Sequence, residues 1–401
     1  MYLNTNKLIQ QHILILEILN QNNKDNAKFV GGCVRDYLKY NTISQDIDIS
    51  TILEPNEVIS IIKDYKKNKN NNKECNIIIL DKDKAYGTII VIFENKKTNQ
   101  KQKYEITTTR ADISCFGRQA QVKFCKDFKQ DSIRRDFTIN ALYLGIDGEI
   151  LDFHNGIEDL NNNRIIFIGD ANSRIKEDYL RIVRFFRFAT KFNNFNFDKS
   201  VLDIITANKN ELNILSRERI RSEIFKMLEY DNWFFGLKSL HNNNLIKNIF
   251  QIETYNINTD ENKNLNNNLL KLFYFFNYDK NIMEELKEKL KFTKEEKKFC
   301  DFFTNIFNIS NKGTEFNIEL KIQIYNNSEM FLICKELFNK EIQEKIEIFI
   351  KNIKKLPITT QDLIDAGFSG KVLGEKIKEI TKIWIENDFK ITKNELLKQI
   401  I

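Results

Sequence analysis

The apolar residues of this 401-residue chain change their spacing once along its length, and that change bounds what it can fold into. Through roughly the first 150 residues, segments with apolar positions at helical spacing alternate with short runs of strand character. Residues 8–19 read as an amphipathic helix. Lys28-Phe29-Val30 reads as a strand ending in Gly31-Gly32, and 34–40 as a second helix. Strand-like stretches follow at Asp46–Thr51, 77–80, 88–93 and 104–109, with a Lys- and Asn-rich exposed loop expected over 66–73. From about Ile175 onward the pattern is almost wholly helical. The fold class expected is therefore α+β: a mixed catalytic head, residues 1–150, followed by an all-α remainder. That remainder is expected to divide into a helical neck, 151–235, and a body and tail, 236–401.

Composition adds limits. With 42% hydrophobic, 12% aromatic and 29% charged residues, the chain is that of a folded protein, not a disordered one. No apolar run approaches the length of a membrane span, and Met1-Tyr2-Leu3-Asn4 lacks a charged-then-apolar secretory pattern. Six scattered cysteines without a CxxC pair are expected to be reduced, which points to a cytoplasmic protein. A net charge of +6 fits a phosphate-rich partner but decides nothing by itself.

Two short segments carry the chemistry. In Phe29-Val30-Gly31-Gly32-Cys33-Val34-Arg35-Asp36, paired glycines stand between a strand and a helix. There they let backbone amides approach an anion, with the helix N-terminus behind them and Arg35 as a possible charged contact. A plain tight turn accounts for the glycines equally well. In Gln45-Asp46-Ile47-Asp48-Ile49, strand period two puts Asp46 and Asp48 on one face and sends Ile47 and Ile49 into the core. Two carboxylates about 7 Å apart along a strand form a hard-oxygen site suited to Mg²⁺. A bare DxD also serves as the solvated face of an edge strand. Glu105, on another strand-like run, is the candidate third carboxylate, with an exposed strand residue as the alternative.

Together these segments resemble the first motif of the class II tRNA nucleotidyltransferases and bacterial poly(A) polymerases, members of the polymerase-beta-like nucleotidyltransferases. Arg134-Arg135-Asp136-Phe137-Thr138-Ile139-Asn140 resembles their second motif. The resemblance implies that Arg134, Arg135, Asp136 and Asn140 surround the triphosphate and ribose, together with Gly31, Gly32 and Arg35. Asp152 to Leu160 is similar to the third motif. Glu177-Asp178-Tyr179-Leu180-Arg181, with Arg184 and Arg187, is similar to the fourth, and Ser216 to Glu223, including Arg219, to the fifth, a neck helix. These motifs cover roughly residues 28–230. Near the end, Leu356-Pro357-Ile358-Thr359 and Trp384 to Phe389 resemble the tail of CCA-adding members, whereas about 240–350 shows no motif.

On one continuous helix, Glu177, Asp178 and Arg181 would share a face. Cytosine and adenine both offer an exocyclic amine beside a ring-nitrogen acceptor; a carboxylate accepts from the first and a guanidinium donates to the second. Uracil and guanine reverse the pattern. Asp178 and Arg181 are thus expected to select C and A, with Glu177 orienting Arg181, although an ordinary surface ion pair has the same spacing. The implied reaction is addition of CCA to the 3′ end of tRNA from CTP and ATP, with Mg²⁺ as cofactor and pyrophosphate released.

Poly(A) polymerases share the five motifs and form the alternative, beside partial enzymes that add only CC or only A. Two features favour CCA addition: Lys84 to Val91 resembles the strand entry of CCA-adding members, and the chain carries no strongly basic C-terminal extension. A flexible loop of family length is expected at about 111–123, with Gly117-Arg118-Gln119 within it.

Overall fold

The computed structural model describes residues 6–42, 46–67, 75–116, 119–192, 195–261, 265–310 and 315–399. The chain divides into two compact units, residues 1–251 and 252–401.

The first unit is built on a seven-stranded sheet. Its strands are β1 (Ala27–Val30), β2 (Asp46–Thr51), β3 (Cys75–Leu80), β4 (Thr88–Asn95), β5 (Lys101–Thr108), β8 (Leu142–Leu144) and β9 (Ile150–Asp152), in the order β3-β4-β5-β2-β1-β8-β9. Only β2 and β5 pair in parallel. The remaining strands, β6 (Arg110–Phe116) and β7 (Gln119–Phe124), form a separate antiparallel hairpin. This hairpin occupies the segment expected to be a flexible loop, and Gly117 and Arg118 lie outside the described residues.

Alternation along β2 and β5 decides which way the site faces. Ile47 and Ile49 are buried, as are their ladder partners Tyr104 and Ile106. Helix α1 (Asn6–Asn20) covers this face, where His12 Nδ1 lies 3.2 Å from the Tyr104 hydroxyl. The carboxylates therefore point away from α1. Helix α2 (Gly32–Tyr40) packs on β1, β2 and β8, and α3 (Pro55–Lys67) packs on α1 and β4. Sequence reading did not foresee α3, β8 or β9. The loop expected over 66–73 begins with the last two residues of α3, and the rest of it lies outside the described residues.

After the sheet come α4 (Phe128–Ile133), α5 (Gly156–Asn161), α6 (Ala171–Glu177), α7 (Leu180–Ala189), α8 (Lys199–Asn208) and α9 (Arg217–Leu228). Asp152 ends β9 and accepts from the backbone amides of Gly156 and Ile157 at 2.8 and 2.9 Å, so one side chain turns the strand into α5. Gly156 has no room for a Cβ, because the Thr138 carbonyl occupies that space. On α7 the apolar residues Ile182, Val183, Phe185 and Phe186 are buried, while Arg181, Arg184 and Arg187 recur every third position.

The head and neck expected from sequence fall within one unit. Side chains cross the anticipated boundary near 150: Arg184 pairs with Asp136 and Lys191 with Asp36.

Every regular element of the second unit, among its described residues, is a helix. Thr359 and Asp362 form a capping box that opens the helix Thr360–Asp365. Ile380, Trp384, Ile385 and Phe389 anchor its core. A cavity of about 450 Å³ opens on this unit, with Phe316, Phe349, Lys321, Lys354 and Lys390 in its lining. Lys321 stands over both phenylalanine rings, 5.5 and 6.0 Å from their centroids.

Among the described residues no helix is long and apolar enough to cross a membrane. Cys33, Cys75, Cys125, Cys300 and Cys334 are free thiols.

Candidate active site

Asp46 and Asp48 both emerge from β2 exposed, with Ile47 buried between them. The parallel register sets Asp48 beside Glu105 of β5 and Asp46 beside Lys103. Three carboxylates thus belong to one sheet face, and Lys103 Nζ lies 3.4 Å from Glu105 Oε2. Partial withdrawal from water, then the charges of Glu105 and Asp46, push the Asp48 carboxyl up to about 6 against the pull of Arg135 and Lys103. A divalent cation would relieve that crowding, so the donor chemistry fits a hard metal ion. Among the described residues, no three acidic, imidazole or thiol groups are gathered closely enough to hold a metal ion by themselves. Two carboxylates leave coordination positions for phosphate oxygens, the usual arrangement for Mg²⁺ with a nucleotide.

The glycine turn lies against this pair. Gly31 caps α2 with φ +75°, a conformation that side chains disfavour, and a Cβ placed there would lie 3.8 Å from Asp48 Oδ2, Arg135 Nη1 and the Asn140 carbonyl. Turn, carboxylate and guanidinium therefore meet around one backbone position.

Arg134 and Arg135 follow α4 and share a single carboxylate, that of Asp131. Arg134 Nε donates to Oδ1 at 2.8 Å and Arg135 Nη2 to Oδ2 at 3.0 Å, while the Tyr143 hydroxyl donates to Oδ2 at 2.8 Å. Two guanidinium groups on one carboxylate leave a surplus positive charge beside the glycine turn. Asp131 is fully buried; burial raises its pKa, but Arg135 and Arg134 outweigh this and hold it near 2. Sequence reading missed Asp131, although it precedes Arg134 and Arg135 by three and four residues, the spacing of helical neighbours.

Other residues expected around the triphosphate are buried and hydrogen-bonded within the fold. Asp136 accepts from Asn140 Nδ2 at 3.0 Å and from Arg184 Nε at 2.8 Å. Arg184 and Arg187 both donate to buried Glu223, and Arg187 also reaches the Tyr230 hydroxyl at 3.1 Å. Arg35 is buried, donating to Asn140 and Asp36 while lying over the Phe188 ring. Its guanidinium is consumed by these partners and does not stand open to an anion. Arg35, Asp136 and Asn140 hold one another and Arg184 in the interior, because a buried charge persists only when paired.

The segment expected to select the base departs from the expected continuous helix. Helix α6 ends at Glu177, Asp178 is extended (φ −155°, ψ 104°), and α7 begins at Leu180. Asp178 Oδ1 accepts from the Leu180 amide at 3.2 Å, and Oδ2 accepts from Arg219 Nη2 at 2.6 Å. Asp178 favours a helix start through its side-chain acceptor, which breaks the face that helical spacing predicts. Glu177 and Arg181 do pair, with Arg181 Nη1 donating to Oε2 at 2.7 Å.

Comparison with known proteins places these features among relatives. The family described as "Poly A polymerase head domain" matches residues 27–166, and "Probable RNA and SrmB-binding site of polymerase A" matches 194–253. The chain is 29% identical to the mouse "CCA tRNA nucleotidyltransferase 1, mitochondrial", over 93% of this chain and 86% of the relative. It is 29% identical to the Staphylococcus epidermidis "CCA-adding enzyme", over 95% and 94%. In fold it is similar to the Bacillus stearothermophilus CCA-adding enzyme solved in complex with CTP, with a TM-score of 0.71, 22% identity and coverage of 98% and 97%.

Proposed function

We infer that this chain, which belongs to the family of CCA-adding tRNA nucleotidyltransferases, completes the 3′ end of tRNA from CTP and ATP without a nucleic-acid template. The observation that carries the chemistry is the convergence of Asp48, Arg135 and the Gly31 turn within van der Waals reach of one point. That constellation suits a triphosphate whose charge must be neutralised while its α-phosphorus is attacked.

The reaction is in-line attack of the RNA 3′-hydroxyl on the α-phosphorus, with pyrophosphate as leaving group and no covalent enzyme intermediate. Arg134 and Arg135 would bind the triphosphate, their surplus charge offsetting that of its phosphates. Gly31 would let the chain approach it without a side chain intervening. Asp178 and Arg181 would read the Watson–Crick edge, with Glu177 holding Arg181 and Arg219 holding Asp178. Enzymes of this kind use divalent metal ions, and we assign Mg²⁺, held by Asp46 and Asp48 with Glu105 as third carboxylate. The ion would supply Lewis-acid neutralisation of the developing charge.

Residues 151–235 would act as a nucleotide-selecting neck and 236–401 as the RNA-holding body and tail, with the lysine-lined cavity as one contact. Reduced cysteines agree with a cytoplasmic setting.

The deciding experiment gives purified protein tRNA lacking its 3′ end, with CTP and ATP separately and together. Growth by C, C and A followed by arrest is expected. A long A tract, or arrest after CC with both nucleotides present, overturns the assignment.

A further inference from the structure

Arg174 lies outside the residues that family resemblance singles out, yet it holds three of them. Its Nη2 donates to the carbonyls of Arg134 and Arg135 at 2.6 and 2.8 Å, and its Nη1 donates to Glu177 Oε2. Arg181 reaches the same groups from the other side. Its Nη1 donates to Glu177 Oε2 and to the Arg174 carbonyl at 2.6 Å, and its Nη2 lies 3.4 Å from the Arg134 carbonyl. Two nearly buried guanidinium groups therefore share one carboxylate and one backbone turn.

Such an arrangement is costly unless geometry is demanded of it. Burial, followed by the neighbouring charge of Arg181, lowers the Arg174 pKa, and its Nε is buried with no hydrogen-bond partner among the described residues. An apolar side chain would fill the space with less desolvation. What the guanidinium alone supplies is a rigid planar fork whose donors reach two adjacent carbonyls and a carboxylate together. Lysine offers a point charge on a flexible stem and cannot fix three acceptors in that plane.

We propose that Arg174 is a positioning residue that sets Arg181 relative to the Arg134–Arg135 turn, so that a base is read only when the triphosphate is seated in register. It acts through Glu177 and through the backbone that carries the two phosphate-binding arginines. The inference rests on the proposed C and A selection by Asp178 and Arg181.

The test compares the first addition from CTP with that from UTP, using tRNA lacking its 3′ end, in the wild type, Arg174→Ala and Arg174→Lys. Both variants should lose at least about tenfold in the ratio of kcat/KM for CTP over UTP, with a several-fold rise in KM for CTP. A purely structural Arg174 would lower Tm and total activity while leaving that ratio unchanged, which overturns the proposal. Full discrimination in Arg174→Lys also overturns it, since charge without the fork would then suffice. Should both variants fail to fold, Glu177→Gln weakens the same link from its other end and must show the same loss of ratio; an unchanged ratio there is equally fatal. Wild-type protein that adds neither C nor A would instead sink the functional assignment, and this inference with it.

Discussion

Asp178 and Arg219, 41 residues apart in the chain, meet through a 2.6 Å hydrogen bond between Arg219 Nη2 and Asp178 Oδ2. Because Asp178 interrupts the α6–α7 helical run, its carboxylate is held by this contact and by the Leu180 amide, not by helical neighbours. Asp178→Ala should therefore relax CTP-over-UTP discrimination by roughly 10- to 100-fold, the range expected when a partly buried polar pairing is lost. Arg219→Ala should relax it less, since the amide contact remains. Triphosphate KM should change little in either case. Single-nucleotide incorporation reads all three quantities, and undiminished selectivity in Asp178→Ala would refute the template role.

The exposed pair on β2 supports a cleaner separation of chemistry from stability. Asp46→Asn and Asp48→Asn keep size and shape while removing charge from side chains that face solvent. Each should lower kcat by roughly 10³-fold, a loss of about 4 kcal/mol of charge stabilisation. Asp46→Asn should stay within about 0.5 kcal/mol in stability, whereas Asp48→Asn, which removes a charge crowded by Glu105 and Asp46, should raise stability at neutral pH. Chelation of divalent ions should abolish addition in the wild type, and Mg²⁺ should restore it. Activity that survives chelation would remove the metal from the account.

Asp131 behaves in the opposite way, because it is buried beneath the two arginines it pairs. Asp131→Asn should cost about 3–5 kcal/mol at neutral pH, the usual penalty for removing one partner of a buried ionic group. It should also raise KM for CTP by loosening Arg134 and Arg135. The carboxyl is depressed from its ordinary 3.8 to about 2, so its contribution is fully present above pH 4 and disappears as pH falls toward 2. Denaturant unfolding of both proteins should show their stability gap closing over that window. A gap independent of pH would place the effect in packing and not in charge.

The particular residues explain what was legible in the sequence. The bounds of β2 were read correctly because its two faces differ in chemistry at every step from Asp46 to Ile49. Strands β8 and β9 have three residues each, too few for a period to register. Helix α3 carries a start signal in Pro55 and Glu57 that went unread. At the site, spacing correctly linked Glu177 with Arg181, a local relationship. It failed for Asp178, whose partner Arg219 comes from a distant helix. Arg35, Asp136 and Asn140 were named by motif, and their burial depends on how α2, α7 and α9 pack. Residue identity survives in a sequence, whereas desolvation is a property of the assembled core.

The cavity of the second unit gives the RNA-holding proposal its own test. Lys321, over the rings of Phe316 and Phe349, presents an aromatic and cationic surface of the kind on which unpaired bases stack while phosphates meet ammonium groups. Changing Lys321, Lys354 and Lys390 to Ala one at a time should weaken tRNA binding without altering kcat or the KM for CTP. Each lysine that meets a phosphate should reduce the slope of log K against log salt by about 1. Phe349→Ala, which removes a stacking surface and no charge, should weaken binding while leaving the slope as it was. Because Phe349 is only half-buried, the second unit should tolerate this loss, as circular dichroism can check. Filter binding at several salt concentrations separates the two behaviours, and unchanged affinity in all four variants would exclude the cavity from the tRNA contact.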